Sequence, residues 1–253
     1  LCNPNSITDW FNDIHDVKKA YNKMDNIVCV SDKAKESFEE VIGCGDKTVT
    51  VYNMIPAKKI IEKSTDLISL SKDKFTIVTV GRLIPDKRHD RLLSATKRLN
   101  DEGYSFNVWI VGGGRHEDEL KKYCQDNNLK NVTFTGMQEN PYPYMKNADL
   151  FVLTSQREGF ALVIPEAMAC GLPILSTSCT GPTEILADGA FGILVGNSSE
   201  EIYEGIKKVL DNKEQLKYYS EKSKQRYMNF DENKIVEEII NLFKHTVKLH
   251  KIR

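Results

Sequence analysis

Two carboxylates, Glu158 and Glu166, frame the run Gly159-Phe160-Ala161-Leu162-Val163-Ile164-Pro165, and Ala167-Met168-Ala169-Cys170-Gly171 follows. Proline fits a helix only in its first turn and glycine suits its end, so the run reads as a loop entering a helix, with a glutamate on each side of the N-terminus. Free N–H groups and the positive end of the helix dipole attract anions there, while carboxylates accept hydrogen bonds from hydroxyls. A ligand carrying both phosphate and hydroxyl groups answers both features, and a nucleotide-sugar is such a ligand. Gly159 lets the backbone approach it closely. In a chain with Asp+Glu 36 the spacing of two glutamates carries little by itself, so the residues between them supply the specificity.

A second cluster of chemistry lies at Val80-Gly81-Arg82, with Lys87 shortly after it. Two cations on the loop leaving a strand, behind a glycine, suit a diphosphate: arginine grips it bidentately and lysine adds a point charge. Gly112-Gly113-Gly114 resembles a phosphate cradle but departs from G-x-G-x-x-G, and a tight strand-to-helix turn explains it better. In Cys179-Thr180-Gly181-Pro182-Thr183-Glu184, read as a loop at a strand end, Glu184 is either a ligand contact or a carboxylate stabilised by the dipole of the helix that follows. The histidines, His15, His89, His116, His245 and His250, show no metal-ligand spacing, and Cys170 reads as core rather than nucleophile.

These loops need strands and helices to hold them. Apolar runs and amphipathic stretches alternate from Phe75 onward: strands at 75–80, 105–111, 132–135, 149–153, 173–176 and 192–195, and helices near 90–102, 117–128, 141–147, 183–187, 199–211, 213–228 and 232–250. The pattern predicts an α/β fold, a doubly wound parallel sheet whose ligands lie beyond the carboxyl ends of the strands. Upstream, Ile27–Val30, a helix carrying Ala34, Phe38, Val41 and Ile42, and Thr48–Tyr52 form one strand–helix–strand unit, too little to cover both faces of a parallel sheet. Residues 56–73 read as a lysine-rich linker. Residues 1–26, with Trp10, Phe11 and Tyr21, show no clear periodicity.

With 253 residues, 40% of them hydrophobic, the chain can bury a large core. Lys+Arg 35 against Asp+Glu 36 gives a net charge of −1, which calls for no nucleic-acid partner. Six scattered cysteines, Cys2, Cys29, Cys44, Cys124, Cys170 and Cys179, fit neither a zinc site nor a disulfide framework, and free thiols in a reducing compartment are expected. No apolar run is long enough to span a bilayer. Leu1 is not an initiator methionine, so the chain is expected to be part of a longer one. Lys244, His245, Lys248, His250, Lys251 and Arg253 cluster near the end of the last helix, where its dipole accounts for them and a membrane-surface patch is the alternative.

The segment Glu158 to Gly171 resembles the Glu-Gly-Phe…Glu-Ala-Met-Ala-Cys-Gly signature of retaining GT-B-fold glycosyltransferases, in particular glycosyltransferase family 4. Val80-Gly81-Arg82-Leu83 with Lys87, Val111-Gly112-Gly113-Gly114, Phe134-Thr135-Gly136 and Ala148-Asp149-Leu150-Phe151-Val152 are similar to that family in order and spacing. The likeness covers about residues 27–230. It implies a Rossmann-like donor domain at 74–230, a remnant of the acceptor-side domain at 1–55, the linker at 56–73 and a C-terminal helix at 231–253. Most of the acceptor-binding half is then expected to lie outside this chain.

What the resemblance implies for chemistry is a metal-free, cofactor-free transfer from a nucleotide-sugar, UDP being favoured and GDP open, with retention of configuration. The catalytic group is then Glu158, Arg82 and Lys87. Arg82 and Lys87 neutralise the departing diphosphate, Glu158 holds donor-sugar hydroxyls and Glu166 the ribose hydroxyls. The backbone of Gly159, Phe160, Ala161 and Leu162 reaches phosphate or sugar, Gly81 allows close approach, and the backbone around Met137 meets the base. Gly181-Pro182, where the family usually has Gly-Gly, is similar to transferases that extend lipid-linked or cell-surface glycans. A glycan or lipid-linked acceptor is therefore implied, with a cytoplasmic site, peripheral at the inner face of the membrane through the absent half. A non-catalytic sugar-nucleotide-binding module and a GT-B-fold epimerase are the alternatives.

Overall fold

The computed structural model describes residues 13–252. Leu1, Cys2, Trp10, Phe11 and Arg253, and the side chains of His250 and Lys251, lie outside the described residues. Among the described residues there are two parallel sheets, one of two strands and one of six.

The small unit comprises α1 (Ile14–Tyr21), β1 (Ile27–Cys29), α2 (Asp32–Ile42) and β2 (Thr48–Thr50). Its core is Val17, Ile27, Cys29, Ala34, Phe38 and Ile42, with the Tyr21 ring edge-on to Phe38 at 4.8 Å. α1 falls where the sequence shows no clear pattern, because its eight residues bury Val17 alone. Ser31 caps α2, its hydroxyl accepting the Ala34 N–H at 3.0 Å.

α3 (Ala57–Lys63) corrects the expectation of a linker at 56–73. Lysines at 58, 59 and 63 give the stretch its polar look, but Ala57 and Ile60 are buried in the core of the large unit. Ile68 and Leu70 pack on the same core, so this segment is part of the large unit's wall.

The large unit alternates β3 (Thr76–Val80), α4 (His89–Asp101), β4 (Asn107–Val111), α5 (Glu117–Asp126), β5 (Val132–Gly136), α6 (Tyr142–Asn147), β6 (Leu150–Leu153), α7 (Val163–Ala169), β7 (Ile174–Thr177), α8 (Thr180–Ile185) and β8 (Ile193–Val195). α9 (Ser199–Asp211), α10 (Glu214–Arg226) and α11 (Glu232–Ile252) follow. The sheet order is β5-β4-β3-β6-β7-β8, all parallel. Strand side chains alternate between two cores. Val78, Trp109, Phe151 and Ile174 face one core with α3, α6 and α7. Ile77, Val108, Ile110, Leu150 and Leu175 face the other with α4 and α9. This is the doubly wound α/β fold expected. α8 starts earlier than the expected helix at 183–187, so Gly181 and Pro182 are helical rather than loop.

The chain passes between the units twice at one place. Ile55 pairs with Asp231 in an isolated parallel bridge; Ile55 N–H donates to the Phe230 carbonyl at 2.8 Å and Glu232 N–H to the Ile55 carbonyl at 3.0 Å. α11 then runs back along the small unit, where Asn26 Nδ2 donates to Thr246 Oγ1 at 2.6 Å.

Candidate functional site

The sequence runs β3, β4, β5 to one side of β3 and then returns to place β6, β7 and β8 on the other, so the order reverses between β3 and β6. At such a reversal the loops leaving adjacent strands diverge and leave a crevice at their carboxyl ends. Arg82 and Lys87 leave from β3, and Glu158 leaves from β6.

Both loops are fixed by their backbones. After β3 the chain makes a 3-10 turn, Pro85–Lys87, and Arg88 adopts a left-handed conformation (φ 50°) held by its guanidinium on Asp90. The Thr154 hydroxyl donates to the Lys87 carbonyl at 3.0 Å, and Gln156 N–H donates to the Asp86 carbonyl at 2.9 Å. The two loops therefore close on each other at the crevice. Across it Lys87 Nζ donates to Glu158 Oε1, and that oxygen also accepts the Ser155 hydroxyl at 2.7 Å. Lys87 and Glu158 are both largely buried, so their pairing is little screened. Arg82 is exposed at the mouth. His89, next to this turn, is buried, and burial together with the Lys87 charge pushes its imidazole down to about 4. It is therefore neutral at neutral pH.

The glycines at the ends of β3 and β4 pack backbone against backbone. A Cβ on Gly112 would lie 1.9 Å from the Gly81 carbonyl oxygen, and one on Gly114 would lie 2.4 Å from that of Leu83. Gly81 N–H donates to Val111 O and Leu83 N–H to Gly113 O, both at 3.0 Å. The triple glycine thus seats the Arg82 loop, as a tight turn does. Gly81 itself has nothing within 4 Å of its Cβ direction, so its outer side is open. Met137 is 81% exposed and sits against Gly113.

On the β6 side, Gly159 abuts α8, Ala161 is buried, and Leu162 is partly exposed. Phe160 packs in a cluster with Tyr52 (6.0 Å) and Phe230 (5.6 Å). Its side chain is committed to packing. Glu166, in the first turn of α7, is pushed up to about 7 by burial, against which a hydrogen bond with the Tyr142 phenol lowers it. Burial and the Glu166 charge push Tyr142 up in turn, to about 12.

The structure therefore brings Lys87 and Glu158 into contact and sets Arg82 on the same strand-end loop as Lys87. It places Glu166 on the neighbouring helix with Tyr142, and Met137 two strands from the crevice's centre, beyond β4. Ser155 and Tyr142 were missed from sequence. Ser155 stands three positions before Glu158, a spacing from which its hydroxyl could have been suspected; Tyr142 reaches Glu166 only through tertiary packing. Among the described residues no group of three or more His, Cys, Asp or Glu could hold a metal ion. No helix among them is long and apolar enough to cross a membrane. Cys170 and Cys179 are buried, and burial raises both thiols, Cys170 to about 12, which fits core rather than nucleophile.

Comparison with known proteins gives this geometry a context. The family model described as glycosyl transferases group 1 matches residues 61–226. A Campylobacter jejuni relative, N-acetylgalactosamine-N,N'-diacetylbacillosaminyl-diphospho-undecaprenol 4-alpha-N-acetylgalactosaminyltransferase, is 34% identical over 77% of this chain and 53% of its own length. The capsular polysaccharide biosynthesis glycosyltransferase CapM of Staphylococcus aureus is 26% identical over 87% of this chain and 59% of its own. The chain thus spans little more than half of these relatives. Among solved structures, a Rickettsia africae glycosyltransferase superposes with TM-score 0.82 at 18% identity, covering 92% of this chain and 67% of that one. Anabaena HepE in complex with UDP superposes with TM-score 0.79 at 20% identity, with the same coverage. These likenesses show the GT-B fold.

Proposed function

The chain belongs to the group 1 glycosyl transferases, and from that premise we propose that it is the donor-binding half of a retaining family 4 transferase. In this reading it takes the sugar from a UDP-sugar and passes it to a lipid-linked or cell-envelope glycan. The observation that carries the reading is the Lys87–Glu158 pair spanning the crevice between β3 and β6. A diphosphate and a sugar are the two halves of one donor, and the crevice offers a cation for the first and a carboxylate for the second.

Lys87 and Arg82 take the diphosphate oxygens, and no metal is required because two cations oppose the charge that develops there. Glu158, steadied by Ser155, accepts hydroxyl hydrogens of the donor sugar. Glu166 accepts those of the ribose, and the Gly159–Leu162 backbone meets phosphate or sugar. The C1–O bond breaks with its electron pair passing to the phosphate oxygen, whose new charge Arg82 and Lys87 stabilise. The acceptor hydroxyl attacks C1 from the same face and its proton passes to that oxygen. UDP is favoured because a structural neighbour of this fold holds UDP. The acceptor class is favoured because one relative's name specifies a diphospho-undecaprenol substrate and another's a capsular polysaccharide pathway. A lipid-linked acceptor would place the whole protein at the cytoplasmic membrane face.

Calorimetric titration with UDP, GDP and ADP, first without metal and then with Mg²⁺, tests the reading. UDP is expected to bind selectively without metal and at least tenfold more weakly to an Arg82→Ala/Lys87→Ala variant. Absence of binding by all three, or binding indifferent to the double substitution, overturns it.

A further inference from the structure

α8 touches the Glu158 loop at one end and the small unit at the other. At its start Gly181 N–H donates to the Glu158 carbonyl at 3.0 Å, and a Cβ on Gly181 would lie 2.8 Å from the Gly159 carbonyl oxygen. Helix and loop backbones meet there without slack. At its far end Glu184 crosses to the small unit, where Oε1 accepts the Asp32 N–H and Oε2 accepts the Lys33 N–H at 3.0 Å. These are the first two N–H groups of α2, donors that a helix leaves without intrahelical partners. Ser31 satisfies the third. The cap of α2 is thus completed by a residue from the other unit, 152 positions away.

Neighbouring groups hold Glu184 in this role. Arg226 donates to the Ile185 and Glu184 carbonyls at 2.7 and 3.0 Å, fixing the end of α8, and lies over the Phe230 ring. The Tyr52 phenol donates to Asp32 Oδ2 at 3.1 Å. Burial first, then the Glu184 and Asp32 carboxylates, raise Tyr52, so it stays a donor.

We propose that Glu184 is a positioning residue that keeps the small unit in register with the Glu158 loop, so that a displacement of the loop backbone is carried through α8 to the N-terminus of α2. A six-residue helix is a rigid strut of about 9 Å. Two carboxylate–N–H bonds are charge-assisted and directional, which suits them to transmit position. The inference rests on the proposed function only in taking that loop as the donor-binding one.

The test is amide exchange at Asp32 and Lys33, followed by NMR in the whole chain with and without saturating UDP. Glu184→Ala should speed exchange at both amides at least tenfold without nucleotide, and Glu184→Gln, which keeps size and one acceptor oxygen, at least threefold. UDP should change exchange at these amides more than threefold in the wild type and leave it unchanged in Glu184→Gln, although that variant binds UDP with a Kd within threefold of wild type. Exchange equal in wild type and Glu184→Gln without nucleotide overturns the inference, and this arm decides it if Glu184→Ala fails to fold. Bound UDP that leaves wild-type exchange unmoved also overturns it. Failure of UDP to bind the wild type counts instead against the donor reading, and the nucleotide-free arm still decides the role of Glu184.

Discussion

Glu166 illustrates how a buried carboxylate can oppose folding. Its folded value of about 7, raised chiefly by burial, exceeds the ordinary glutamate value of about 4.3. The folded chain then holds this proton more tightly than the unfolded chain does, so stability falls as pH climbs from about 4 to about 7 and levels off above. Glu166→Gln removes the ionisation. The variant is expected to match the wild type near pH 4 and to exceed it by about 1–3 kcal/mol at pH 8, read from urea unfolding at the two pH values. At this scale the sequence was informative where chemistry is local: Lys87 and Glu158 stand out by type and by the glycines beside them. It was silent where a role is conferred by distant chain. Tyr52 looks like the end of a strand, and only folding sets its hydroxyl on Asp32.

At the scale of elements, alternating apolar runs were enough to reveal the strands and helices, because each buries a face with a regular period. α3 escaped because two buried residues among three lysines leave no period to read. The partnership of α8 with α2 escaped because capping by a side chain from another unit leaves no mark near either helix. The glycines offer a sharper test, since two of them look alike in sequence. Gly112 (φ 138°) has no room for a Cβ beside the Gly81 carbonyl, whereas Gly136 (φ 70°) has open space. Gly112→Ala is expected to cost about 3 kcal/mol or more through both strain and collision, and Gly136→Ala about 1 kcal/mol through strain alone. Chemical denaturation of the two variants side by side measures the difference. Gly112→Ala should also displace the Arg82 loop and weaken UDP binding.

For the molecule as a whole, Phe230 is the apolar counterpart of Glu184. It is fully buried where the units meet and packs edge-on against Tyr52 (5.4 Å) and against Phe160 of the Glu158 loop. Phe230→Ala is expected to cost about 3–5 kcal/mol. It should also split a single unfolding transition into two, as the small and large units lose their shared core; fluorescence and circular dichroism followed together would show the separation. The sequence carries two separate strand–helix patterns but no sign of this joint, because Tyr52, Phe160 and Phe230 come from three separated stretches.

The paired crossing at Ile55 and Asp231 makes the large unit an insertion. Everything from α3 to the turn before α11 is a closed excursion whose two ends are already hydrogen-bonded to each other. Such a segment can be excised, joined head to tail by a short linker, or grafted into another host without stretching its backbone. In a chain built this way the part that carries the crevice is exchangeable as a cassette, while α1 on one side of it and α11 on the other both stay with the small unit.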